Sequence, residues 1–117
     1  TFMKAGAKNI LITNPRDIGR FIKEIKNTQF TAITGVNTLF NAMMHHPQFT
    51  SIDFSCLKLA LSGGMALQKS VAIKWCELTK SRVLEAYGLT ETCPAVNINP
   101  MYEENYNGSI GLPIPST

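Results

Sequence analysis

Three cysteines in 117 residues, with no CxxC pair among them, exclude a disulfide framework and a zinc knuckle. Cys56, Cys76 and Cys93 are odd in number and widely spaced, and they read as reduced intracellular thiols, with Cys76 on a helix beside the core. The histidines, His45 and His46, are adjacent, so a helix would point them to different faces. That leaves neither a metal cluster nor a base for a thiol nucleophile. Charge is scarce as well: 16% of residues, net +3, scattered along the chain. The longest basic cluster, Arg20 to Lys26, is interrupted by Glu24, and nucleic acid is not an expected partner. No apolar run nears the ~20 residues of a membrane span. The chain opens at Thr1 without a signal-peptide pattern, and its true start is expected to lie upstream. Two nucleotide signatures are missing too. Ser62-Gly63-Gly64-Met65-Ala66 lacks the second and third glycines of GxGxxG, and no GxxxxGK[ST] phosphate loop occurs.

What remains is an apolar content of 44%, which suits one small α/β domain burying roughly two-thirds of its unfolded surface. Asn9 to Thr13 is a short apolar run, expected to be a strand. Asn14, Pro15 and Asp17 then predict a helix start, with Asn14 as cap, and Ile18, Phe21, Ile22 and Ile25 form one apolar stripe. Phe30 to Thr34 predicts a second strand. Val36, Leu39, Phe40 and Met43 fall at helical spacing until Pro47 stops them. Leu57 to Ser62 predicts a third strand, and Val71, Trp75 and Leu78 an amphipathic helix. Val83 to Ala86 predicts a fourth strand. Beyond it, Asn97 to Tyr106 is polar and turn-rich, and the glycines and prolines from Gly108 to Pro115 imply loop or short strand.

Strand starts near 10, 31, 58 and 83 each leave room for one helix between them, which is the spacing of βαβ crossovers. The expected fold is therefore α/β, a parallel sheet. Parallel strands point one way, so Gly35, Gly63, Gly64 and Gly88 are expected on one rim, where such sheets hold ligands.

The fourth strand runs into Tyr87-Gly88-Leu89-Thr90-Glu91-Thr92. A ring there can face a base, and a glycine lets a ligand approach the backbone. A hydroxyl can donate to a phosphate oxygen, and a carboxylate suits Mg²⁺. The same residues equally suit a strand-end turn with a solvated acid, and Gly63-Gly64 equally suits a plain strand-to-helix turn.

YGLTE resembles the signature of the adenylate-forming, acyl-activating (AMP-binding) enzymes. Ser62-Gly63-Gly64-Met65 is similar to that superfamily's adenine-side glycine loop, and Gly108-Ser109-Ile110-Gly111-Leu112-Pro113 to its following loop. Thr34-Gly35-Val36-Asn37-Thr38-Leu39-Phe40 resembles bacterial long-chain fatty-acid–CoA ligases. The likeness runs over nearly all of the chain. It implies that Gly63, Gly64 and Met65 pass one side of the adenine, with Glu85, Ala86, Tyr87, Gly88 and Leu89 along the other. Thr90 would meet the α-phosphate and Glu91 would ligate Mg²⁺, making these two the catalytic pair. Val36, Leu39, Phe40, Gly64, Pro94 and Ala95 would line the acyl pocket, although core packing accounts equally well for the first three. Ala86 departs from relatives, which often carry glycine there.

The resemblance implies ATP, AMP, Mg²⁺ and CoA as ligands and a fatty acid as substrate. It also implies a partial N-terminal domain over residues 1–117, incomplete at both ends and inactive alone. The family's phosphate loop would precede Thr1, and its ribose-binding Asp and catalytic Lys would follow Thr117. The parent enzyme is expected in the cytoplasm, with a peripheral contact to the membrane's inner face. The cut sheet is expected to self-associate through exposed edges. Two other readings stand beside this one: a ligase for another carboxylic acid, and a non-catalytic α/β interaction module.

Overall fold

A computed structural model describes residues 2–92 and 95–115. Helix α1 (Ile18–Lys26) buries Phe21, Ile22 and Ile25, the stripe expected from periodicity. Its cap is Asp17 rather than Asn14: the Asp17 carboxylate accepts from the Arg20 N–H at 3.1 Å, which satisfies a free donor of the first turn. Asn14 instead closes the turn before it, accepting from the Arg16 N–H.

Strands β1 (Ala32–Gly35), β2 (Leu59–Ser62) and β3 (Val83–Tyr87) are parallel and lie side by side in chain order. Helices α2 (Asn37–His45) and α3 (Lys69–Thr79) make the crossovers. The two crossover helices pack together, as expected when connections between sequential parallel neighbours share one hand. Ile33, Ala60 and Val83 are aligned by register and all enter the core. Trp75 is fully buried there, edge-on to Phe40 at 4.8 Å and close to Phe49 and Phe54. The α3 stripe is Val71, Ala72, Trp75 and Thr79, whereas Leu78, expected inside, is exposed.

Two expectations need correction, the strand over residues 9–13 and the turn-rich reading at residues 97–98, whereas the short strand allowed for beyond Gly108 is present. Residues 9–12 are not a strand, and Leu11 is 84% exposed. A groove of about 1180 Å³ separates this run from β1, and without a neighbour in hydrogen-bonding range an apolar run gains nothing from extending. Conversely, the polar tail contributes β4 (Asn97–Ile98) and β5 (Leu112–Pro113), antiparallel additions on the far side of β3. Among the described residues the sheet is therefore mixed, with five strands in the order β1-β2-β3-β4-β5. At Gly111, with φ +89°, a Cβ would overlap the Ile98 carbonyl, so β5 can lie this close to β4 only with glycine there.

Candidate nucleotide site

All three parallel strands end on the same rim. β1 ends at Gly35 and passes to Val36; β2 ends at Ser62 and passes to Gly63 and Gly64; β3 ends at Tyr87 and passes to Gly88. The Gly63 N–H donates to the Gly35 carbonyl at 3.1 Å, which carries the ladder one step past the strands. A Cβ on Gly63 would stand 3.5 Å from the Ala86 carbonyl oxygen, and one on Gly64 would stand 3.6 Å from Val36 Cγ1. Val36, the glycine pair and Ala86 are thus immediate neighbours. Gly64 has φ +78°, the left-handed region that L side chains rarely occupy. Met65 and Tyr87 are both about half exposed above this rim.

The loop after β3 leaves and returns at nearly the same place, since the Val96 N–H donates to the Tyr87 carbonyl at 2.8 Å. Within it, Thr90–Thr92 form a 3₁₀ turn. Thr92 fastens that turn: its Oγ1 accepts from the Leu89 N–H at 2.9 Å and donates to the Leu89 carbonyl at 2.8 Å. Glu91 is exposed on the turn and forms no ion pair among the described residues. Being in the loop that follows β3, it belongs to the same end of the sheet as Gly63. No group of three potential metal ligands occurs among the described residues. A lone carboxylate still suits Mg²⁺, an ion commonly bound by one or two carboxylates together with substrate phosphates.

The expected acyl-side residues divide. Val36 and Leu39 line the groove beside β1, while Phe40 does not, being enclosed in the core against Trp75. Ala95 is half-buried, and Pro94 lies outside the described residues, as does Cys93. Of the other thiols, Cys56 and Cys76 are free and half-buried, Cys76 on α3. His45 ends α2 and bonds through Nδ1 to the Asn41 carbonyl, and His46 Nδ1 accepts from the Gln48 N–H.

Four side chains build the rim from beneath, in a role that sequence reading gave to none of them, although it placed Glu85 beside the adenine. The Leu67 N–H donates to Glu85 Oε1 at 2.9 Å, and the Gln68 N–H to Asn37 Oδ1 at 2.9 Å. Tyr106 donates its hydroxyl to the Leu67 carbonyl at 2.8 Å. Asn99 clasps β3, accepting from the Glu85 N–H at 2.7 Å while its own N–H donates to the Glu85 carbonyl at 2.9 Å. An asparagine opening a helix was the one available signal, at Asn37. Nothing local marks the others.

A glycine loop and a Tyr-Gly-Leu-Thr-Glu turn sharing one sheet rim invite comparison with nucleotide-using proteins. The family model described as AMP-binding enzyme matches residues 1–117. The chain belongs to the AMP-binding enzyme family. Among its relatives is a long-chain-fatty-acid–CoA ligase of Yersinia pestis, 55% identical over 99% of this chain and 21% of that protein. The ligase of the same name from Haemophilus influenzae is 52% identical over the same shares. The chain thus spans about a fifth of the length of the curated relatives it matches. In structure, it superposes on an anthranilate CoA ligase in complex with anthranoyl-AMP with a TM-score of 0.83. That match is 24% identical and covers 94% of this chain and 21% of the other, a likeness of fold.

Proposed function

We propose that these residues form part of the large N-terminal domain of an ATP-dependent long-chain fatty-acid–CoA ligase, incomplete at both ends. In the whole enzyme a fatty carboxylate attacks the α-phosphorus of ATP and pyrophosphate leaves. The CoA thiol then displaces AMP from the acyl-adenylate. The protein's work in such a transfer is to position the groups and neutralise charge on the non-bridging oxygens. Gly63, Gly64 and Met65 would border one side of the adenine, and Glu85, Ala86, Tyr87, Gly88 and Leu89 the other. Thr90 would hydrogen-bond an α-phosphate oxygen. Glu91 would hold Mg²⁺, which when bound offsets phosphate charge. Val36 and Leu39, backed by Phe40, would join Gly64, Pro94 and Ala95 around the acyl chain, whose burial is worth about 0.8 kcal/mol per CH₂.

The observation that carries this reading is the shared rim, with Gly63 against Ala86 and Gly64 against Val36. Its test is fatty-acid-dependent ATP–pyrophosphate exchange by the product of the complete reading frame. Glu91→Ala should lower that exchange by on the order of 10² to 10³, with melting temperature unchanged. An Glu91→Ala enzyme of full activity would favour the interaction-module reading. The 117 residues alone should show no exchange.

A second reading keeps the adenylation and changes the acid, because an anthranilate ligase shares this fold. Comparing long-chain, medium-chain, aryl and amino acids as substrates of the complete enzyme separates the two. We place the parent in the cytoplasm with a peripheral contact to the membrane's inner face, where a long-chain fatty acid would be met. Co-sedimentation with lipid vesicles tests that contact. The isolated chain should also associate with itself through the open edge of β1 and the groove beside it. A monomer by light scattering at high concentration would end that idea.

A further inference from the structure

Gly63 to Ala66 is a short loop whose first residue is tied to β1 through the Gly35 carbonyl. Its far end is held differently. Leu67 and Gln68, the two residues before α3, are gripped by side chains from three distant parts of the chain, at sequence separations of 18, 31 and 39. Gln68, the α3 cap, makes no capping bond with its own side chain. The anchors are therefore Glu85, Asn37 and Tyr106.

Glu85 is the unusual member. Side chains alternate along a strand, and Glu85 shares the helix-side face with Val83, two residues before it, and with its register partner Ser62. It is 8% exposed, and a buried carboxylate is tolerated only where donors meet it. Its oxygen meets the Leu67 N–H, while its backbone is clasped on the other side by Asn99. One residue thus ties the strand that carries Tyr87 to the loop that carries Gly63 and Gly64.

We infer that the Glu85 carboxylate is a positioning residue that fixes the width of the slot between the glycine loop and Tyr87, with Tyr106 as its second anchor. The inference rests on the reading of that slot as an adenine site. In the complete enzyme, Glu85→Ala should raise KM for ATP by about tenfold, as a buried N–H loses its acceptor. KM for the fatty acid should rise less, by about twofold to threefold, because Gly64 alone of the proposed acyl-side residues lies on the loosened loop. Amide hydrogen exchange at residues 64–68 should quicken with no ligand present. Glu85→Gln keeps an acceptor oxygen and should restore both readouts. Tyr106→Phe, which deletes one hydroxyl, should move them the same way by about two- to threefold.

A wild-type enzyme without acid-dependent exchange overturns the nucleotide reading itself. With wild-type exchange intact, three outcomes overturn only the present inference: Glu85→Ala that lowers melting temperature at unchanged KM for ATP, Glu85→Gln as impaired as Glu85→Ala, or unaltered amide exchange at 64–68. If Glu85→Ala does not fold, Tyr106→Phe decides: a raised KM for ATP supports the assignment, and an unchanged one rejects it.

Discussion

The two flanks of the sheet are finished in opposite ways. Beyond β3 the edge is closed by β4 and β5, and polar side chains stitch it together. Asn99 Nδ2 donates to the Ser109 carbonyl at 2.8 Å, Asn97 Nδ2 to the Gly111 carbonyl at 3.3 Å, and Arg82 to the Met101 carbonyl at 2.6 Å. On the outer side of β1 no strand pairs among the described residues, and the apolar run 9–12 stands across a groove with Leu11 turned to solvent. The polar flank is the ordered sheet, and the apolar flank is the open one. Strand formation here follows the presence of a hydrogen-bonding partner more closely than it follows hydrophobicity.

Substitutions can break or sharpen this contrast. Trp75 belongs to the core between the flanks, and Trp75→Ala should cost about 3–5 kcal/mol by urea unfolding, since its buried ring meets three other aromatic rings. A loss under about 1 kcal/mol would mean that the ring is not packed in this cluster. On the closed flank, Gly111→Ala should cost at least about 2 kcal/mol, from positive φ and overlap with the Ile98 carbonyl. On the open flank, Leu11→Asn should change the stability of the chain by less than about 0.5 kcal/mol, as expected for a residue that touches little. A larger cost in the complete enzyme would indicate that the run is covered there.

The smallest effect belongs to neither flank. The Ser55 backbone N–H, and then its side chain, hold the exposed Asp53 carboxyl below its ordinary value. Its folded pKa is depressed, so its contribution to stability is present above the unfolded pKa and is lost as pH falls through the folded one. An NMR titration should find the Asp53 midpoint lowered and insensitive to Gly111→Ala. A normal midpoint would remove the Ser55 bond from the account.

Much of the candidate site was legible. Glycines at strand ends, with Tyr87 to Glu91 after the last parallel strand, are a local pattern, and parallel topology alone carries them to one rim. Phe40 was ambiguous because helical spacing does not say which neighbour a ring meets, and the fold gives it Trp75. The anchoring by Glu85, Asn37 and Tyr106 was not legible, even though Glu85 and Asn37 drew attention for other reasons, because each acts on residues 18 to 39 positions away.

The amino-acid sequence by itself determined the apolar stripe of α1, the β-helix-β spacing, the rim glycines and the family signature, all of which depend on residues within a turn or a strand of one another. Of the stripe expected in α2 only Phe40 and Met43 are fully buried, and Val36 is its exposed cap. Only the tertiary structure decided which runs became strands, that the tail would close the sheet, and that a buried carboxylate would hold the glycine loop. Those outcomes depend on whether backbone donors and acceptors find partners from remote segments, and no local pattern contains that information.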